Sequence, residues 1–368
     1  MHRIFCAPLR YVQGDGVTGR LALEMAVLGI HGPVLVVAGR SAVAALAPVW
    51  AVVMAAAGWQ HDVRAFGGEC TAAEIDAVAA EARALGARAI VGAGGGKCLD
   101  ASRAAAAAVG LPFVSCPTVA STDAPTSALS VVYTAAGAAE SYRIHGRNPD
   151  LVLVDSGVIV RAPVRYLVAG MGDALSTWYE GRAAAAAGRP NMRGGGTTEG
   201  ALALARACRD TVLADGEEAL AAARDQRVTP AVERIIEANT LLSGLGFESA
   251  GLAAAHAVHN GLTVLSGTHA ALHGEKVAFG TLVQMMLDGT PADEFATVVR
   301  FCRAVGLPVT LAQLGLAAAT AADIDAIAGR ATQPGETIHN LPRPVTAADV
   351  AAAIREADGR AAAIAGRS

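Results

Sequence analysis

The chain is poor in aromatic residues, which make up 4% of its 368 positions, and poor in charge, at 17% Asp, Glu, Lys and Arg. It has no basic run and no aromatic stripe interleaved with cations, and 29 basic against 33 acidic residues leave a net charge of -4. That composition argues against nucleic acid as a partner, since such surfaces need clustered cations and stacking rings. The six cysteines (Cys6, Cys70, Cys98, Cys116, Cys208 and Cys302) lie far apart with no C-x-x-C pair. A zinc knuckle or dithiol redox site is therefore not indicated, and reduced thiols in a cytoplasmic protein are expected. The first residues meet Arg3 and Pro8 too early to form the apolar core of a signal peptide. One uncharged stretch, Ser41–Gln60, is long enough to span a bilayer. It is mostly alanine, holds Pro48 and follows the run Val34-Leu35-Val36-Val37, so it reads as a crossover helix on a sheet and no membrane is expected.

What the chain does have is length and apolar content, 53% hydrophobic, enough for two domains with sizeable cores. Short β-branched runs alternate with alanine-rich helical stretches in the first half. They are Val34–Ala38, His61–Phe66, Ala89–Gly92, Phe113–Cys116 and Leu151–Asp155. This pattern predicts a parallel sheet with helices on both faces, an α/β dinucleotide-binding domain over residues 1–162. From about Pro163 the β-branched runs stop and helical segments such as Thr198–Leu213 and Pro230–Leu242 take over, predicting an all-helical second domain over residues 163–368. The Gly194-Gly195-Gly196 cluster reads as a flexible connection between helices.

Two segments of the first half suggest chemistry. In Ile90-Val91-Gly92-Ala93-Gly94-Gly95-Gly96-Lys97-Cys98-Leu99-Asp100 a glycine cluster falls between a strand and a helix. Glycines admit a pyrophosphate close to the backbone, the helix start offers free amides, and Lys97 could add a full charge. Val91 and Cys98 exclude a P-loop, and the alternating-glycine Rossmann pattern does not fit cleanly, so an ordinary tight turn is the competing reading. The second segment, Pro117 to Ser127, follows the next strand and concentrates hydroxyls around Asp123. Loops after parallel strands carry function, though Ser and Thr also serve simply to make turns.

In the second half four of the nine histidines (His256, His259, His269 and His273) fall within eighteen residues. His256 and His259 are one helical turn apart and can share a face. A divalent cation would also need a hard oxygen ligand, and Asp173, placed at the start of an inward-facing helix, is the best candidate. Taken singly, each has a plainer role as helix cap, core histidine or surface residue.

Several segments then resemble glycerol dehydrogenases of the iron-containing alcohol dehydrogenase and dehydroquinate-synthase-like superfamily, over nearly the whole chain. They are Tyr11-Val12-Gln13-Gly14, Gly94 to Lys97 with Asp100, Pro117 to Ser130, Asn148 to Asp155, Gly170 to Ala174, Gly246 to Asn260, and His273-Gly274-Glu275-Lys276-Val277. The resemblance implies a Rossmann-like domain, a helical domain and a zinc or iron ion, Zn²⁺ or Fe²⁺, between them, in a homo-oligomer. It assigns Asp173, His256 and His273 to the metal. NAD or NADP falls to Gly94, Gly95, Gly96, Lys97, Asp100, Thr118, Ser121, Ser127, Leu129 and Tyr133. Asp123 matches a carboxylate that touches the polyol or hydroxy-ketone substrate, and His259 a supporting residue near it.

The chain departs from the family after Val34–Ala38, where an aspartate usual for the adenosine ribose is replaced by Gly39, with Arg40 and Ser41 following. Loss of the carboxylate and gain of a cation suit a 2′-phosphate, so NADP use or relaxed preference is expected, unless Arg40 simply faces solvent. Relatives of this architecture also act on 2-oxo acids, aldehydes or amino-polyols. A sugar-phosphate cyclase or lyase is the main alternative, but Glu248 to Glu275 contains no Lys or Arg to hold a phosphate. A catalytically retired binding protein is a third reading that no residue favours.

Overall fold

A computed structural model describes residues 2–134 and 139–365, which divide into two compact units. One comprises residues 7–163 with 223–228; the other comprises the chain up to Cys6, residues 164–222 and residues 229–368.

The first unit is built on six strands: β1 (Arg10–Gly14), β2 (Val34–Ala38), β3 (His61–Ala65), β4 (Ala89–Gly94), β5 (Phe113–Pro117) and, after a hairpin, β8 (Leu151–Asp155). All neighbouring pairs are parallel, in the order β1-β8-β5-β4-β2-β3. Strands buried on both faces must be apolar at every position, and β2 shows how they divide. Val34, Val36 and Ala38 pack with Leu21, Met25, Trp50 and Met54 of α1 (Leu21–Val27) and α2 (Arg40–Ala56). Leu35 and Val37 face the other way, towards Ile75 and Val78 of α3 (Ala72–Leu85) and Ala101 and Ala105 of α4 (Gly96–Val109). Ser41–Gln60 accordingly supplies most of a sheet-packed helix, and among the described residues no single helix is long and apolar enough to cross a membrane.

Three strands were not anticipated. β1 is half-buried at every position, and the antiparallel hairpin of β6 (Leu129–Tyr133) and β7 (Ala139–Ile144) carries Ser, Tyr, Glu and Arg. The sheet edge at β1 is tied to α1 through Glu24, 2% exposed, which accepts from Arg10 at 2.6 Å and Arg20 at 2.9 Å. Burial alone would push this carboxyl up, but the two guanidiniums outweigh it and hold it below its ordinary value of 4.5. A depressed carboxyl stabilises the fold above that ordinary value and ceases to do so as pH falls through its folded value. Glu24→Gln should therefore cost about 2 kcal/mol at neutral pH. Denaturation curves should show the gap from wild type closing below pH 4.5; a gap that stays constant down to acid pH would refute it.

The second unit is helical: α6 (Val164–Ala186, after the short α5, Ser156–Ile159, of the first unit), α7 (Glu199–Arg224), α8 (Pro230–Glu237), α9 (Ser243–Ala250), α10 (Ala254–Leu262), α11 (His273–Leu287), α12 (Ala292–Val305), α13 (Ala321–Ala331) and α14 (Ala347–Ala365). The last two residues of α7 belong to the first unit. Gly194-Gly195-Gly196 is not the flexible connection expected of it. The amide of Gly196 donates to His2 at 2.8 Å, Asn191 receives Gly195 N–H at 3.2 Å, and the Asn191 amide binds Ile4 at 2.8 Å. A side chain at Gly195 would overlap Ile4, so these glycines seat the N-terminal residues on the helical unit.

Candidate metal centre and cofactor turn

In the first unit the order in which strands are added reverses between β2 and β4, and in open parallel sheets ligands bind beyond the strand C-termini at such a switch point. Here those ends are Gly39 and the glycine cluster, joined by a hydrogen bond from Gly39 N–H to Ala93 at 3.0 Å. β4 runs two residues further than expected, so Gly94 is its last residue, Gly95 the helix cap and Gly96 the first residue of α4. The three glycines differ in purpose. A Cβ at Gly94 would stand 2.7 Å from that of Cys98, so packing demands glycine there. At Gly95 and Gly96 a Cβ would meet only ordinary contacts at 3.4 and 3.5 Å, and at Gly39 nothing at all. Packing does not demand these; they leave bare backbone beside the first amides of α4, as a phosphate requires.

Thr118 N–H donates to Gly94 at 3.1 Å, which seats the hydroxyl-rich loop against this turn. Thr118, Ser121 and Asp123 are half-buried, whereas Ser127 is buried with its hydroxyl 3.4 Å from the Ala124 carbonyl. Lys97 does not lie free over the turn: its ammonium is 2.6 Å from Glu69 and above the Tyr133 ring. Asp100 is spent internally. Buried on α4 itself, it accepts from Arg103 at 2.6 Å and from Val131 N–H at 3.0 Å, while Arg103 also donates to Ala124 and to the carbonyl of Leu129. Burial pushes its carboxyl up against the pull of Arg103. Asp100 thus holds the loop and the hairpin in place. Arg40, the first residue of α2, is exposed and has no ion pair among the described residues.

In the second unit Asp173, His256 and His273 present donor atoms within 4.8 Å of one another. Asp173 does not begin a helix. It sits in the middle of α6, 1% exposed, because Gly172 and Gly274 let α6 and α11 touch backbone to backbone: a Cβ on Gly274 would overlap the carbonyl of Ala169, and one on Gly172 the carbonyl of Gly274. Gly172, next to the carboxylate expected to start a helix, is a helix–helix contact point instead. That approach brings His273, the first residue of α11, to Asp173, with Nε2 3.2 Å from Oδ1. His256 on α10 directs its Nε2 to the same oxygen at 3.6 Å. His273 is 37% exposed and His256 16%, so the group opens on the His273 side.

Hydrogen bonds behind the rings settle which nitrogens carry protons. Asn260 donates its amide to Glu336 at 2.9 Å, turning its carbonyl to His259 Nδ1 at 3.1 Å. His259 must then hold its proton on Nδ1, and its Nε2 accepts from His273 Nδ1–H at 3.0 Å. Burial first, then the neighbouring His273, His256 and Lys276, hold His259 well below its ordinary value, which keeps it neutral. His259 therefore backs His273, with their rings 4.3 Å apart. On the other side Glu180 lies 2.6 Å from His256 Nδ1. Burial would lower His256, but Glu180 and Asp173 outweigh it and raise its pKa well above the ordinary value. Burial would likewise raise Asp173, yet His273 and His256 hold it well below the carboxylate range. Two Nε2 atoms and a carboxylate oxygen thus converge on one point, a donor set that fits a divalent cation, which on binding would displace the Nε2 proton that His256, with its raised pKa, carries in the cation's absence.

Residues 8–156 match the sequence profile of iron-containing alcohol dehydrogenases. Glycerol dehydrogenase from Pseudomonas putida is 48% identical over 97% of this chain and 98% of its own length. The chain belongs to the iron-containing alcohol dehydrogenase family. The Citrobacter freundii glycerol dehydrogenase is 54% identical over 81% of this chain and 83% of its own. A crystal structure of a probable glycerol dehydrogenase from Sinorhizobium meliloti 1021 superposes with a TM-score of 0.92 at 43% identity, covering 99% of this chain and 100% of that one. Within the iron-containing alcohol dehydrogenases the chain is thus an oxidoreductase of glycerol dehydrogenase type. Glu180 is the residue of this centre that sequence reading missed. Its signal was its place seven residues after Asp173, two turns along one face of a helix apolar almost all round.

Proposed function

We propose that the protein moves a hydride between a vicinal diol such as glycerol, or the matching hydroxy-ketone, and a nicotinamide cofactor, and that Arg40 turns it towards NADP(H). The observation that carries the reading is the convergence of Asp173, His256 and His273 on one point with an open side. A divalent cation held there, Zn²⁺ or Fe²⁺, supplies a Lewis acid that eases loss of the hydroxyl proton and so of hydride. Asp123 holds the remaining hydroxyls of the polyol, and His259 keeps His273 in position. The backbone at Gly95 and Gly96, with the start of α4, takes the pyrophosphate. Gly39 leaves room for a 2′-phosphate, and Arg40, exposed at the start of α2 beside the same switch point, pairs with it.

The test is kcat/KM for glycerol, 1,2-propanediol, dihydroxyacetone and 2-oxo acids with both cofactors. Metal-dependent turnover of a diol is expected; turnover of 2-oxo acids alone would replace the substrate. Arg40→Ser should lower kcat/KM for NADP(H) about tenfold, the worth of one exposed charge-assisted pair, and leave that for NAD(H) unchanged. An equal effect on both cofactors would remove Arg40 from the 2′-phosphate.

A further inference from the structure

We propose that Glu180 is the positioning residue of the metal centre, fixing His256 in the tautomer and orientation that present Nε2 to the cation, so that metal affinity depends on a carboxylate that is not a ligand. The proposal rests on the metal reading of Asp173, His256 and His273 and names a residue beyond it. Glu180 is completely buried on α6. One of its oxygens receives the amides of Ala253 at 2.9 Å and His256 at 3.0 Å; the other lies 2.6 Å from His256 Nδ1. A single side chain thus holds both the main chain and the ring of one ligand.

Seating the start of α10 does not itself require a charge. Gln284, a neutral group, receives the next two amides, Ala254 at 2.9 Å and Ala255 at 3.0 Å. Burying a carboxylate is costly unless its partners compensate. What a carboxylate adds over an amide is a strong acceptor for Nδ1–H. It leaves the Nε2 lone pair free, prevents the ring from flipping, and makes Nε2 a better donor to a cation. His273 has the neutral His259 in the equivalent place, so Glu180 is the charged support of the pair.

The test titrates metal-stripped protein with Zn²⁺ against a chromogenic chelator and records the unfolding temperature of the same stripped samples. Glu180→Gln keeps the shape and one acceptor oxygen; it should weaken Zn²⁺ binding 10- to 100-fold, with an unfolding temperature close to that of wild type. Gln284→Ala, which loosens the same helix start without touching the ring, should leave Zn²⁺ affinity near wild type. Equal losses in the two variants, or unchanged affinity in Glu180→Gln, would overturn the proposal. Should Glu180→Gln not fold, ¹⁵N-histidine spectra of Zn²⁺-loaded wild type decide: a protected Nδ1–H on His256 is expected, and an Nε2–H tautomer would refute it. If wild type takes up neither Zn²⁺ nor Fe²⁺, the metal reading fails, and the role of Glu180 with it.

Discussion

Asp173→Asn should leave the purified protein without bound divalent metal and lower kcat/KM by a factor on the order of a thousand, the equivalent of about 4 kcal/mol of lost charge stabilisation. The substitution barely changes shape, which makes it a test of charge. An amide oxygen is a weak ligand, and its NH₂ group, if turned inward, would face the two Nε2 lone pairs. Asp173 is almost wholly buried, so water cannot replace the missing ligand from its side. Elemental analysis of the variant checks the prediction, and metal content equal to wild type would remove Asp173 from the ligand set. The stripped variant should keep its fold, because the contacts that seat α6 on α11 are made by Gly172 and Gly274.

Gly274→Ala should be more disruptive than its single methyl suggests. The new Cβ would overlap the Ala169 carbonyl and stand 3.1 Å from the Asp173 amide nitrogen, and neither is the end of a flexible side chain. One helix must move off the other, at a cost of about 3 kcal/mol, the upper end of the range for overpacking. His273 is the preceding residue, so the same shift draws its ring from Asp173. Lower thermal stability and lost metal should therefore appear together. A variant with wild-type melting and full metal would mean that α6 and α11 can separate without cost, contrary to the contact seen.

The four inner strands β8, β5, β4 and β2 were legible because burial on both faces leaves unbroken apolar runs such as Val34–Ala38; β3, at the other edge of the sheet, was anticipated at His61–Phe66 without such a run. β1 was not, since an edge strand with half-buried Arg10 and Gln13 lacks that run. The clustered histidines and a carboxylate hinted at a cation site without choosing among them, the family resemblance named Asp173, His256 and His273, and the structure brings those three together. Their setting was harder to read, because a glycine that breaks a helix and one that lets two helices touch look alike in sequence. Asp173 was accordingly placed at a helix start although it lies within α6, and Gly195 was read as part of a flexible connection although Ile4 leaves it no room for a side chain. Asp100 and Lys97 lie beside a phosphate-type turn, yet their side chains are drawn to Arg103 and Glu69 by contacts that spacing alone does not reveal.

The backbone contacts of α11 also limit how this chain can diverge. Where Gly274 meets α6 and Gly280 meets Ala255 of α10 there is no side chain to vary, and adding one displaces a helix that carries one of the three converging side chains. In the hydroxyl-rich segment after β5 the backbone is held by Gly94 and Arg103, but half-buried side chains such as Ser121 and Asp123 are there to vary. Descendants of this chain should therefore acquire new substrates by rewriting loops, while the spacing of the three donors is inherited nearly unaltered.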